Sequence, residues 1–293
     1  MTGKVAVLGL GRMGAAMARR IQGSGADLIV WNRDRAKSEA ISQETGATIA
    51  KSPAEAAAQS ELVLTSLADD AAVISVYLEA DGITEGIGEG SIAIDTSTLD
   101  PSTTIRVGEA VDVTGAGFID CPVSGSVSVV EAGALTVMAG GDELLIKQAE
   151  PVLAAISSRI IHVGPRGAGA ACKLAVNGLV HGLNVALSEA LVLAEKAGVE
   201  REIAYEVFVS GAGGAPFVKY KRESYENPAT TPVAFSLDLV RKDLELIIEL
   251  ARRVNAPMEQ AQVGLEIVRR AIAAGMGEKD LSAIAVLLRE GRA

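Results

Sequence analysis

Apolar and polar positions follow two different rhythms along the 293-residue chain. From residue 4 to about 163, short β-branched runs ("KVAVLG", "DLIVWN", "LVLTSL", "SIAIDTST", "GFIDCPVSG", "LTVMAGG" and "IIHVG") are separated by Ala-rich stretches of helical spacing. Runs of this length bounded by turn residues read as strands, and strands alternating with helices predict a mostly parallel sheet with crossover helices. "KSPAEAA" marks one helix start, with Ser52 as N-cap and Pro53 at the first helical position. Beyond residue 164 the strand signal stops, and helices are predicted over 168–197, 200–210, 235–255, 258–275 and 279–290. Residues 210–232, "SGAGGAPFVKYKRESYENPATTP", read as one long irregular segment of the kind that lines a site or links elements. No internal repeat or low-complexity block breaks this plan. It predicts an α/β protein with a doubly wound parallel sheet over 1–163 and an all-helical domain over 164–293, joined by one long helix.

The first strand runs into "GLGRMG", which sets Gly9, Gly11 and Gly14 at G-x-G-x-x-G spacing where a helix begins. Glycines there permit a tight turn, close approach of backbone to a pyrophosphate and close helix–strand packing, while the helix N-terminus offers free N–H groups to the anion. In this context the pattern predicts a dinucleotide-binding (Rossmann) domain. Gly9, Leu10, Gly11, Arg12, Met13 and Gly14 are its expected contacts. At the end of the second strand, where NAD-selective proteins place an acid on the ribose hydroxyl, the chain has Asn32 and Arg33, with Asp34 one step late. An arginine fork suits a 2′-phosphate that a carboxylate would repel, so NADP(H) is expected over NAD(H), with NAD(H) still possible.

Composition narrows the partners. Hydrophobic residues make up 49% and aromatics 3%, so Ala, Val, Leu and Ile must fill the interior. A net charge of −10 argues against nucleic acid or an anionic membrane, both of which need a basic footprint. Cys121 and Cys172 form no metal-ligand spacing, and both read as small core residues in a reducing, cytoplasmic setting. No metal site is expected. The N-terminus carries no secretory cleavage pattern, and the apolar stretch 168–197 is interrupted by Lys173, Asn177, His181, Asn184 and Glu189, too polar for a membrane span.

Within "GPRGAGAACKLAVN" (164–177) three glycines precede Lys173, with Asn177 four residues on. An ammonium withdrawn from water costs several kcal/mol, roughly, unless paired or able to lose its proton, which is how a lysine becomes an acid or base near neutral pH. Asn177 projects from the same helix face and offers an amide to orient a substrate oxygen. The glycines allow another backbone or a ligand to approach. His181 continues that face and reads as a buried structural histidine outside the site. "PVSGS" is not a strand-to-helix nucleophile elbow, so serine hydrolysis is unsupported.

The whole chain resembles the β-hydroxyacid dehydrogenase family, which includes 3-hydroxyisobutyrate dehydrogenase and the glyoxylate and tartronate semialdehyde reductases. Four segments carry the resemblance in order: "GLGRMGAAMARRI", "DCPVSGSVSVVEAGALTVMAGGD", "GPRGAGAACKLAVN" and "RKDLELI". The resemblance implies Lys173 as catalytic acid/base, with Ser124, Gly125 and Ser126 holding a substrate carboxylate and Asn177 fixing the reacting end. It also implies substrate-pocket positions at Phe235 and Asp243, and cofactor contacts from Leu67, from Thr96 on the nicotinamide side, and from Lys242 in the helical domain. The implied reaction interconverts a short 3-hydroxy (or 2-hydroxy) acid and its aldehyde acid, with the site expected in the cleft between the domains and a homodimer or homotetramer as the assembly. Ser126, where many members have glycine, resembles the glyoxylate and succinic semialdehyde reductases. Val130 in place of alanine and the lack of a proline in "TSLADD" also depart from the family pattern, and leave the substrate's identity open. Two rivals are an NADPH-dependent imine reductase of the same fold, disfavoured by Lys173, and a non-catalytic binding module.

Overall fold

A computed structural model describes residues 3–291; the terminal residues 1–2 and 292–293, which the expected domain bounds include, lie outside the described residues. The chain divides into two compact units, 1–173 and 174–293. In the first, the strands are β1 (Lys4–Leu8), β2 (Asp27–Trp31), β3 (Thr48–Ile49), β4 (Leu62–Thr65), β5 (Ile92–Asp95), β6 (Gly117–Asp120), β7 (Val123–Ser124), β8 (Leu135–Gly140) and β9 (Ser157–Gly164). The helices between them are α1 (Arg12–Gly23), α2 (Arg35–Thr45), α3 (Pro53–Ala58), α4 (Asp70–Leu78), α5 (Pro101–Asp112), α6 (Val127–Glu131) and α7 (Glu143–Ile156). All seven apolar runs form strands, and the two-residue β3 is an addition too short to leave a periodic signal.

The sheet order is β3-β2-β1-β4-β5-β6-β8-β7, with β9 also paired to β8. The first six strands are parallel and β8 turns antiparallel against β6 and β7. In an open sheet of this order the direction of winding reverses between β1 and β4, and ligands bind outside the carboxyl ends of the strands there. Both sheet faces are covered: α1, α6 and α7 bury Met17, Ile21, Val130 and Leu153 against one, and α3 to α5 bury Ala56, Val73, Tyr77 and Val107 against the other. That is why the strands read as continuous apolar runs.

Helix starts in this unit follow local chemistry. Side chains of Asp34, Ser52, Asp69, Asp100 and Asp142 cap α2, α3, α4, α5 and α7. Ser52 Oγ accepts the Glu55 N–H at 3.1 Å with Pro53 behind it, as the sequence predicts. By contrast, α1 begins at Gly11 with no side-chain cap and no acid in its first turn.

The long helix α8 (Ala168–Lys196) starts in the first unit and continues as the core helix of the second. It is long and apolar enough to cross a bilayer, but it buries Asn177, His181, Asn184 and Ser188 inside the helical unit. Asn184 donates to the Leu281 carbonyl and accepts from the Tyr225 hydroxyl at 2.7 Å. The remaining helices are α9 (Arg201–Ser210), α10 (Pro216–Tyr220), α11 (Arg222–Glu226), α12 (Leu237–Arg253), α13 (Glu259–Ala271) and α14 (Ala283–Glu290). The segment expected to be irregular thus contains two short helices. Phe217, Val218 and Tyr225 supply the reason, since each is buried in the helical core, and the Tyr205 hydroxyl donates to the Val218 carbonyl at 2.8 Å. After α13 a π turn over Ile272–Met276 replaces the predicted continuation to 275, with Gly275 at φ 81° breaking the helix.

Candidate active site

The glycine turn joins β1 to α1 at the point where the winding reverses. Gly9, at φ 90°, donates its N–H to the Trp31 carbonyl and packs against the loop after β4, where a Cβ would sit 2.3 Å from the Ser66 carbonyl oxygen. At Gly14 a Cβ would fall 1.9 Å from the Gly9 oxygen, so this glycine lets α1 press onto the strand. Gly11 is different: nothing lies within 4 Å of where its Cβ would be. Two glycines are dictated by the protein's own backbone, and the middle one opens onto space beside uncapped N–H groups. That is the arrangement a pyrophosphate requires, so the turn fits a dinucleotide.

Around it stand the other expected cofactor positions of this unit. Leu10 donates its N–H to Asn32 Oδ1 at 2.9 Å, and Asn32 Nδ2 donates to the Asp34 carbonyl. The Asn32 side chain therefore braces the glycine turn against the β2–α2 turn. Asp34, the acid one step late, spends its carboxylate as the cap of α2 on the Ala36 N–H. Arg12 and Arg33 are exposed, and Met13 packs partly into the sheet core. Leu67 lies over the turn, its Cδ2 2.8 Å from the Cβ position of Gly9. Thr96 is buried, with its hydroxyl donating to the Thr65 carbonyl at 2.7 Å.

The glycines before Lys173 serve a backbone approach. Asp120, the last residue of β6, accepts the N–H of Gly167 at 2.9 Å on Oδ1 and that of Ala170 at 2.9 Å on Oδ2. A Cβ at Gly169 would stand 2.6 Å from the Met138 carbonyl oxygen and 2.7 Å from that of Asp120. Burial pushes the Asp120 carboxyl above its usual range, although the N–H groups of Gly167, Ala170 and Gly169 pull it down. The start of α8 is thereby clamped to the carboxyl edge of the sheet, and Lys173 follows one turn later. Lys173 is half-buried, less withdrawn from water than its apolar sequence context suggests.

Ser124 ends β7, paired with Thr136 of β8. Gly125 is exposed at φ 142°, and Ser126 Oγ lies 2.9 Å from Ser128 Oγ. The segment thus turns its backbone outward between β7 and α6. Cys121 is buried, its thiol pushed well up by burial, so it is not an activated nucleophile, and Cys172 is half-buried.

In the helical unit the remaining expected substrate positions cluster. Asn177 Nδ2 donates to Asp243 Oδ2 at 2.6 Å, both side chains buried. Lys242 Nζ pairs with Asp243 Oδ1 at 3.0 Å. His181 Nε2 stands 3.5 Å from the same Oδ2, and its ring lies against Phe235 with centroids 6.0 Å apart. Burial alone would raise the Asp243 carboxyl; His181 and the Lys242 ammonium outweigh it and hold it below the usual range. Phe235 is itself placed by Asp280, which accepts the Ala234 and Phe235 N–H groups on Oδ2 and pairs with Lys221 Nζ at 2.6 Å. The sequence reading sets His181 apart, although the i, i+4 spacing from Asn177 was its available signal. Asp120, Asp95 and Asp280 carry no signal in the sequence, because an acid that binds a distant backbone N–H or hydroxyl leaves no spacing pattern.

Residues 4–164 match the family model of the NAD binding domain of 6-phosphogluconate dehydrogenase, and residues 167–288 match the model described as NAD-binding of NADP-dependent 3-hydroxyisobutyrate dehydrogenase. Glyoxylate/succinic semialdehyde reductase 1 of Arabidopsis thaliana is 34% identical over 281 residues, 96% of either chain. The structure of the 3-hydroxyisobutyrate dehydrogenase of Mycobacterium tuberculosis with L-serine superposes with a TM-score of 0.86 at 29% identity, covering 99% of this chain and 100% of that one. Psf3 in complex with NADP+ and 2-OPP gives 0.88 at 25% identity over 97% and 99% of the two chains.

Proposed function

The chain belongs to the β-hydroxyacid dehydrogenase family of nicotinamide-dependent oxidoreductases acting on CH–OH groups, and we propose that it interconverts a short 3-hydroxy acid and its aldehyde acid with NADP(H) as preferred cofactor. The observation that carries this reading is the clamp of Asp120 on α8, which starts the Lys173-bearing helix at the same carboxyl edge as the glycine turn. A bare dinucleotide-binding module needs the turn and has no use for a lysine held there.

Gly9, Gly11 and Gly14 would hold the pyrophosphate, with Leu67 and Thr96 toward the nicotinamide. When bound, the nicotinamide supplies or takes up the hydride. Lys173 Nζ carries the proton, giving it to the developing alkoxide in reduction and removing it from the hydroxyl in oxidation. Backbone N–H groups of the turn at Ser124, Gly125 and Ser126 suit a carboxylate. Asn177, with one amide hydrogen given to Asp243, keeps its carbonyl oxygen and second hydrogen for a substrate oxygen.

Preference for the 2′-phosphate is supported by the exposed Arg33 beside an asparagine where an acid would repel it. An aldehyde-acid substrate is supported by the Arabidopsis relative's name and by Ser126. A homodimer or homotetramer is supported by exposed Leu179, Leu193, Ile203 and Val207 on α8 and α9. A kinetic screen of glyoxylate, succinic semialdehyde, tartronate semialdehyde and 3-hydroxyisobutyrate with NADPH or NADP+ and with NADH or NAD+ tests the reading. Turnover of at least one carboxylated substrate is expected. Turnover of a cyclic imine with none of these acids would replace it by imine reduction.

A further inference from the structure

Beneath the glycine turn lies a buried polar chain that the reaction scheme does not use. Asp95, the last residue of β5 and 1% exposed, receives the Thr65 hydroxyl at 2.7 Å and the Ser97 hydroxyl at 2.7 Å, both on Oδ1. Ser97 Oγ in turn accepts the Leu67 N–H at 2.9 Å, and Thr65 Oγ1 lies 3.0 Å from the Tyr77 hydroxyl. Donors and acceptors balance only one way. With the Thr65 and Ser97 hydrogens both spent on the carboxylate, Tyr77 must donate to Thr65, and Ser97 has a lone pair left for Leu67. The chain ends on the backbone of the residue whose side chain roofs Gly9, next to the Ser66 carbonyl against which Gly9 packs.

We propose that Asp95 is a positioning residue for the cofactor: acting through Ser97 it locks the Ser66–Leu67 loop against the glycine turn and so sets the shape of the dinucleotide seat. The Ser66 N–H is already held by the Leu8 carbonyl of β1 at 2.9 Å, and the next N–H along the loop is the one the polar chain reaches. The Leu67 N–H bonds to a side chain and not to a neighbouring strand, so its orientation depends on which way the Ser97 hydroxyl points, and that is decided by Asp95.

The groups facing Asp95 are Tyr77 from α4, and Asp120, its partner across β5 and β6, with Cys121 beyond it. Burial pushes the carboxyl up to about 6 despite the bonds from Ser97 and Thr65. A protonated Asp95 accepts the Ser97 hydroxyl more weakly than a carboxylate, so the lock loosens as pH falls through that value.

The inference rests on the reading that the turn binds a nicotinamide dinucleotide, and NAD+ is the probe because it lacks the 2′-phosphate, which itself titrates. Its dissociation constant is read from quenching of Trp31, the chain's single tryptophan and the last residue of β2, between about pH 8 and about pH 5. Wild-type affinity should weaken as pH falls through the Asp95 transition. Ser97→Ala should bind about fivefold more weakly than wild type at the alkaline end, the worth of one lost hydrogen bond, with a flattened slope. Asp95→Asn should show no slope, holding throughout the weaker affinity that wild type shows in acid. Should Asp95→Asn fold poorly, Ser97→Ala and Thr65→Val carry the test with thermal melts as the control. Wild-type affinity and slope in folded variants would overturn the positioning role alone. Failure of wild type to bind NAD+ or NADP+ at any pH would overturn the dinucleotide reading and this inference with it.

Discussion

Asp120 Oδ2 accepts the N–H of Ala170 at 2.9 Å, tying the end of β6 to the first turn of a helix that begins nearly fifty residues later. The bond is buried, and Oδ1 of the same side chain accepts the Gly167 N–H, so one carboxylate satisfies orphan donors at the start of α8 through both oxygens. It is the link between the sheet edge and Lys173. Asp120→Ala would leave those N–H groups buried without acceptors, at a cost of about 3 kcal/mol or more. Urea unfolding should show that loss, with Asp120→Asn, which keeps one acceptor oxygen, in between.

The glycine turn offers a contrast that separates folding from binding. Gly14→Ala drives a Cβ into the Gly9 carbonyl and should lower the melting temperature markedly. Gly11→Ala meets nothing in the protein and has ordinary extended φ, −67°, so it should melt within a few degrees of wild type. Its dinucleotide affinity should nevertheless fall at least tenfold, because the methyl group occupies the pyrophosphate's approach. Equal melting temperatures for the two variants would contradict the packing described.

Lys173→Ala should lower kcat by about two to four orders of magnitude, the usual share of one general acid or base, while the Kd for NADPH stays near wild type. Arginine at the same position should not restore the rate, since a guanidinium does not give up its proton near neutral pH. A variant that turns over normally would remove Lys173 from the chemistry.

For Arg33→Ala the expected loss is about tenfold in NADPH affinity with NADH affinity unchanged, as befits a charge-assisted bond to a phosphate. Equal weakening of both would show that Arg33 does not read the 2′ position. Isothermal titration with each cofactor decides it.

Two buried acids should act on stability with opposite signs. Burial would raise the Asp280 carboxyl, but its pair with Lys221 outweighs that and holds it low, so it takes up protons more readily unfolded than folded. Its contribution is present above the ordinary carboxylate pKa of about 4 and is lost as pH falls through its lower folded value. Asp95 is raised to about 6, so the folded state binds its proton more tightly, and its contribution is present in acid and lost as pH rises through that value. Urea midpoints followed against pH should therefore show wild type falling behind Asp95→Asn as pH rises through 6. Asp280→Asn should remove part of the loss at the acid extreme. The opposite slope for either variant would show that its carboxyl sits in a different environment.

Period and punctuation in the chain carry the alternation of strands and helices, the change to all-helical structure after β9, the Ser52–Pro53 helix start and the glycine turn. Each is a local property: two-fold or 3.6-fold burial, a capping hydroxyl, or a backbone with no room for Cβ. These are written in consecutive residues and need no partner to be recognised. Two things escaped that reading. The helices in 210–232 depend on burying Phe217, Val218 and Tyr225 against helices elsewhere in the chain. The work of the buried acids depends on long-range pairing: Asp120 with the start of α8, Asp280 with the loop before Phe235, Asp243 with Asn177 and His181, Asp95 with Thr65 and, through Ser97, with Leu67. An aspartate in sequence looks alike whether it faces water, caps its own helix as Asp34 does, or holds a distant backbone. Only the packing that removes water from it, and chooses which N–H or hydroxyl replaces that water, separates these fates.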